Sequence, residues 1–168
     1  MGVDVGPIVI RMSRRLAAYA LCIENEQVLL ALSVPGEGEP TWTLPGGRVE
    51  QGEAPYDTVT RELMEETGCE GIVTRLLGVD SRLIPAAERA LPGLPDHQNV
   101  GIFYQVHITG GELRPEPNGD TSESAWTPIA DVARLRRSSL VDVGLALAQM
   151  TPATGHVSPV EVGGLVQH

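Results

Sequence analysis

Two apolar runs dominate the N-terminal half of the chain. Residues 16–24 (LAAYALCIE) and 27–32 (QVLLAL) flank Asn25-Glu26, and runs separated by so short a polar break predict a β-hairpin. A loop rich in Gly, Pro and Glu follows over 33–41, then a short extended piece, Trp42-Thr43-Leu44, stopped by the turn signal Pro45-Gly46-Gly47. The next pattern has a helical period: Tyr56, Val59 and Leu63 form one apolar stripe, Pro55 suits a first turn, and Gly68 is a C-terminal stop. A helix over about residues 54–67 is predicted. Strands are expected at 71–79 and 100–108, separated by a long Pro-punctuated loop over 81–99. After an irregular stretch at 114–120, a short strand is expected at 122–126. A helix capped by Thr127 is then expected from Pro128 to about residue 135, and a second over 139–150. These elements divide the chain into an N-terminal arm (1–15), one domain (16–150) and a C-terminal tail (151–168).

Composition narrows the function classes. The chain has 168 residues, the size of one ordinary domain, and 12 basic against 22 acidic side chains, a formal charge of −10. That balance argues against a binder of nucleic-acid polymers and against a polybasic membrane-surface protein. Every basic residue is arginine, so the lysine of a phosphate-binding P-loop and the lysine of a Schiff base are both missing. Cys22 and Cys69 form no metal-binding spacing and read as reduced core thiols. With no apolar run long enough to span a membrane and no signal-peptide core, a soluble cytoplasmic protein is expected, with Met12 an alternative start to Met1.

The chemistry gathers on the central helix. Glu62, Glu65 and Glu66 lie at i, i+3 and i+4, on one helical face. By themselves they read as a solvated acidic face. Equally, they are a cluster of hard oxygens suited to Mg²⁺ or Mn²⁺, placed where the negative end of the helix dipole disfavours anions.

The surrounding spacing decides between the two. Gly47, five residues, Glu53, seven residues, then Arg61-Glu62-Leu63-Met64-Glu65-Glu66-Thr67-Gly68-Cys69 resembles the Nudix box, G-x5-E-x7-R-E-U-x-E-E-x-G-U with U a bulky aliphatic. All seven fixed positions match; at roughly one in fifteen per position a chance match is about one in 10⁸, so coincidence is set aside. The one departure is Cys69 at the last aliphatic position, a mild one because buried cysteine behaves as a small hydrophobe.

The resemblance implies an α+β fold of the Nudix type, an α/β/α sandwich with a mixed central sheet and a catalytic loop-helix-loop. It implies a pyrophosphohydrolase that cleaves a nucleoside diphosphate linked to another group and uses Mg²⁺ or Mn²⁺. Carried over residue by residue, the Gly47 carbonyl, Glu62 and Glu66 become metal ligands, and Glu65 a further ligand or the group that takes a proton from water. Glu53 and Arg61 match the pair that ties loop to helix, with a catalytic role for Glu53 as the other reading. A further acid is expected before a tryptophan-bearing strand: Asp120, or else Glu123, near Trp126. The expected partner is a small nucleoside diphosphate derivative, and a homodimer is expected by analogy. The alternative is a Nudix-like domain that senses a nucleotide without cutting it.

Substrate choice is less marked in the residues. Pro85, Arg82 and Arg89 in the 81–99 stretch are candidate readers, and Tyr19, Trp42, Phe103 and Tyr104 could stack on a base or simply fill the core. His97, His107, His156 and His168 show no metal spacing; His97 is a candidate for the rim of the site.

Overall fold

The structure is a computed structural model that describes residues 11–36 and 38–168. Among the described residues ten strands and two α-helices run in the order β1 (Met12–Leu21), β2 (Ile23–Glu24), β3 (Gln27–Ser33), β4 (Thr41–Thr43), β5 (Gly46–Arg48), α1 (Pro55–Thr67), β6 (Cys69–Ile84), β7 (Asp96–Gly111), β8 (Thr121–Pro128), β9 (Arg137–Ser138), α2 (Ser139–Met150) and β10 (Val166–Gln167). One mixed sheet has the order β5-β1-β7-β6, with β1 and β7 parallel and the other pairs antiparallel. A second is built from β10-β9-β4-β3-β2, with β8 paired to β3.

The alternation of side chains along β1 explains how two helices share the first sheet. Ala18, Ala20 and the following Cys22 join Val59 and Leu63 of α1 in one core cluster. Ala17, Tyr19 and Leu21 face the other way, into a cluster with Val141, Val143 and Leu147 of α2. A sheet buried on both faces by helices is the expected α/β/α sandwich. Cys22 and Cys69 are both buried free thiols, and burial pushes the Cys22 thiol up to about 12. Among the described residues no helix is long and apolar enough to cross a membrane.

Four expectations are corrected. Residues 16–24 and 27–32 do not form one hairpin: only β2 pairs with β3, while β1 pairs with β5 and β7 in the other sheet. Asn25 and Glu26 make the turn, both at positive φ, so the turn signal was sound and the strand partner was not. The loop expected over 81–99 is shorter, because β6 and β7 pair from Cys69↔Gly111 down to Ile84↔His97 and only residues 85–95 connect the two strands. The helix expected from Pro128 is a 3-10 segment, Ile129–Arg134, without a side-chain cap from Thr127. Of the arm expected at 1–15, residues 1–10 lie outside the described residues and 12–15 already belong to β1.

The 151–168 segment is tied to the fold. Val157 is buried in the α2 core, the Gly155 carbonyl accepts a hydrogen bond from Val79 N–H (2.9 Å), and β10 runs parallel to β9. Gly78 makes this contact: a Cβ there would stand 2.2 Å from the Gly155 carbonyl oxygen.

Candidate active site

Helix α1 is placed by its two ends. At the start, Ala54 offers no side-chain cap; instead the Glu53 carboxylate accepts from Glu50 N–H (3.0 Å) and Thr58 Oγ (2.7 Å). At the end, Gly68 adopts φ 79°, which only glycine takes readily, and its N–H returns to the Met64 carbonyl. Val59 and Leu63 fix the buried face, so Arg61, Glu62, Glu65 and Glu66 turn toward β5 and solvent.

Arg61 is the hub of the box. Its Nε and Nη2 grip Glu53 at 2.7 and 2.9 Å, Nη1 reaches Glu62 (2.9 Å) and Glu65 (3.1 Å), and Nη2 also donates to the Arg48 carbonyl (3.2 Å). The Arg61 guanidinium, with the Glu50 amide and the Thr58 hydroxyl, holds the Glu53 carboxyl down at about 2. This network locks the 46–53 loop onto the helix.

Glu62 and Glu66 face a cleft of about 680 Å³ that Gly46 and Gly47 also line. Burial raises the Glu62 carboxyl above its ordinary value, opposed by Arg61. Among the described residues the Glu66 carboxylate has one hydrogen-bond partner, the Gly46 N–H at 3.0 Å. Burial, with the charges of Glu62 and Glu116, pushes it up to about 8. Such a carboxylate is short of positive charge.

The sequence-derived candidates fall into two groups. Gly47, Glu62, Glu66 and Asp120 line the cleft together. Glu53, Arg61 and Glu65 are not among its walls; Glu65 is half exposed and turned to Arg61. Glu123 is exposed on β8 and also lies off the cleft. Of the aromatic candidates, Tyr19 lines the cleft, with its ring 5.3 Å from the core residue Phe103. Trp42 packs on the α2 core, and Tyr104 sits on the other face of the sheet beside Tyr56. Arg82, His97 and His168 line the cleft; Pro85, Arg89, His107 and His156 do not.

One acidic residue escaped the sequence. Glu116 lines the cleft, its carboxylate accepting from Thr121 N–H (3.1 Å) and folded over Gly119, where a Cβ would clash with it. Its only sequence signal was membership of the same irregular loop as Asp120.

The donor set suits a hard divalent cation: Glu62 and Glu66 side by side, Gly47 against Glu62, and Glu116 near enough to raise both carboxyl groups. Among the described residues no three metal-ligating side chains are already drawn together.

A model of the NUDIX domain family matches residues 13–143. The chain is 35 % identical over 100 residues to the putative mutator protein MutT4 of Mycobacterium tuberculosis, covering 59 % of this chain and 37 % of that one. It is 34 % identical over 146 residues to the putative 8-oxo-dGTP diphosphatase 2 of the same species, covering 79 % of this chain and 97 % of the relative. A NUDIX hydrolase from Nitrosomonas europaea superposes with a TM-score of 0.71 at 16 % identity, over 82 % of this chain and 90 % of that structure. The chain spans less than two thirds of several curated relatives, 37 %, 29 % and 58 % of three of them. A family match across most of the chain, joined to a box whose loop and helix are locked by Glu53 and Arg61, makes this protein a member of the Nudix hydrolase family.

Proposed function

We propose that the chain hydrolyses a diphosphate linkage in a nucleoside triphosphate or related nucleoside diphosphate derivative, with Mg²⁺ or Mn²⁺ held in the cleft. The observation that carries this reading is Glu66, a carboxylate sunk in the cleft wall near Glu62 and Glu116 with one backbone N–H as its partner. Acidic walls repel a diphosphate unless a cation stands between them. Glu62, Glu66 and the Gly47 carbonyl would hold that cation, with Glu65 joining once it leaves Arg61. When bound, the metal neutralises phosphate oxygens and lowers the pKa of a water molecule.

The rest is work for the chain itself. Arg61 and Glu53 keep α1 in register with the Gly46-Gly47 turn, and so act as positioning residues. Asp120, on the loop across the cleft, accepts the proton from the attacking water. Tyr19 offers an apolar surface with a polar tip, suited to a base. The relative matched over 97 % of its length is named for 8-oxo-dGTP, which supports an oxidised purine nucleoside triphosphate as the first substrate to try.

The test is a panel of 8-oxo-dGTP, dGTP, ADP-ribose and a UDP-linked compound with Mg²⁺ or Mn²⁺, read by phosphate and pyrophosphate release. Metal-dependent turnover of one of them is expected. Tight nucleotide binding without turnover, in folded protein, would replace this reading with the nucleotide-sensing domain.

A further inference from the structure

The cleft has a second charged end that the proposed reaction leaves unused. Arg15 of β1 lies opposite Asn99 of β7, and Asn99 lies opposite Arg82 of β6, so the three residues form one row across the sheet. Around the row burial alternates along all three strands, and in each the row residue is on the more buried side. Further along the same face stand Ala17, Tyr19 and Phe103, part of the apolar core. Here the core gives way to two guanidiniums and a carboxamide, all three lining the cleft.

The row is built and short of acceptors. Asn99 is 4 % exposed, and its Nδ2 donates to the Tyr19 hydroxyl (3.3 Å). Arg82 Nη1 donates to Ser139 Oγ (2.6 Å) and Ser138 Oγ (3.3 Å), neutral groups at the start of α2. The Nε atoms of Arg15 and Arg82 are buried without a hydrogen-bond partner among the described residues. No described carboxylate forms an ion pair with Arg15, Arg48, Arg82 or Arg89, whereas Arg61 has three and Arg134, Arg136 and Arg137 one each. Asp80 acts on Arg82 through space from a second cavity that Arg82 also lines, without forming an ion pair with it, and does not itself line the cleft.

Two neighbours sharpen the field. The first-turn acid of α2, Asp142, is occupied by a two-pronged pair with Arg137 (2.7 and 2.8 Å), so the positive helix end at Ser138 and Ser139 faces Arg82 uncompensated. His97, one step along the ladder beside Ser13 (2.7 Å), has its imidazole held below the ordinary value by burial and by Arg89, Arg15, Arg48 and Arg82.

We propose that Arg15, Asn99 and Arg82 form a phosphate subsite, binding a substrate phosphate group other than the one at the carboxylates. Two guanidinium forks supply a double positive charge and many parallel N–H donors, which matches a phosphate dianion better than a singly charged carboxylate. The subsite rests on the hydrolase reading only for the identity of its ligand as part of a substrate; its chemistry needs no metal. It specifies a substrate with phosphate groups at both ends of the cleft.

The test uses the full chain with EDTA and inorganic phosphate, read by calorimetry and by the NMR signals of the histidine rings. Saturable phosphate binding that moves the His97 ring signals is expected. Arg82→Gln and Arg15→Gln should each weaken it about tenfold or more, and Arg134→Gln, which removes an exposed arginine paired with Asp131 away from the cleft, should leave it unchanged. Arg82→Lys keeps the charge and should fall in between; if Arg82→Gln proves unfolded by circular dichroism, Arg15→Gln decides. Absence of binding, unchanged affinity in both arginine variants, or signal changes that bypass His97 would overturn the subsite. Phosphate binding as described in a protein that hydrolyses nothing would sink the hydrolase reading alone.

Discussion

Gly47 faces the Glu62 carboxylate so closely that a Cβ placed on it would stand 2.6 Å from Oε1 and 2.9 Å from Oε2. Real carbon atoms do not approach so near, so any side chain at 47 drives Glu62 out of its place. Gly47 is not among the glycines at positive φ, so the effect is on the carboxylate and not on the backbone. Gly47→Ala should therefore lose about a hundredfold in turnover, the scale of an ångström-sized misplacement, while remaining folded. Wild-type turnover in that variant would show that the Glu62 position is irrelevant to the chemistry.

Glu66→Gln separates function from stability. The amide keeps a group for Gly46 N–H to bond and removes a charge that Glu62, Glu116 and burial all oppose. Turnover should fall by about a hundredfold or more, the scale of losing one preorganised charged group, with the melting temperature equal to or above wild type. A clear drop in melting temperature would mean that the charge stabilises the fold.

Mg²⁺ should stabilise the native protein, because the unfolded chain does not gather these oxygens. At about a hundred times the dissociation constant the gain is about 2.7 kcal/mol. For a chain of this size that is a rise of about 5–10 °C in Tm. Replacing Glu62, Glu65 and Glu66 together by Gln should abolish the rise; an equal shift in the triple variant would place the ion elsewhere.

Glu53 predicts acid sensitivity. Its carboxyl is held at about 2 in the folded protein, below the ordinary 4.5. A depressed carboxyl contributes stability that is present above its unfolded value and lost as the pH falls through its folded one. Wild type should therefore lose this contribution between about pH 4.5 and 2, and Glu53→Gln should show a flatter profile there. Parallel acid-unfolding curves for the two proteins would contradict the assignment.

The box was legible because its information is local. Pro55, the Val59–Leu63 stripe and Gly68 lie within one helix and mark its ends without reference to any partner. The β1 pairing was not local: Asn25-Glu26 announced a turn, but nothing near residue 16 announces a partner near residue 100. The lower part of the β6–β7 hairpin was hidden because its inner side faces a cleft and not a core. There Asp80 and Arg82 point inward while Val79 and Leu83 are 47 % and 49 % exposed, an inverted alternation that reads as loop. Polar residues on the inner side of a strand are costly against a core and appropriate against a cleft. Glu116 lay in a loop whose fold no periodicity reports.

The parallel ladder between β1 and β7 joins residues 84 positions apart, as Arg14 and Gln98 illustrate. Closing so large a loop must precede any reward from the contacts, whereas β6 and β7 meet across a short connection at Ile84↔His97. The order of folding follows. The hairpin brings Arg82 beside Asn99 early, and β1 docks afterwards with Arg15, Tyr19 and its partners on β5. Pulse-labelled hydrogen exchange should find amides of β6 and β7 protected before those of β1; simultaneous protection would remove the distinction. On that order the cleft is completed only when β1 docks, and an intermediate with the β6–β7 hairpin formed has Arg82 and Asn99 in place without Arg15 or Tyr19.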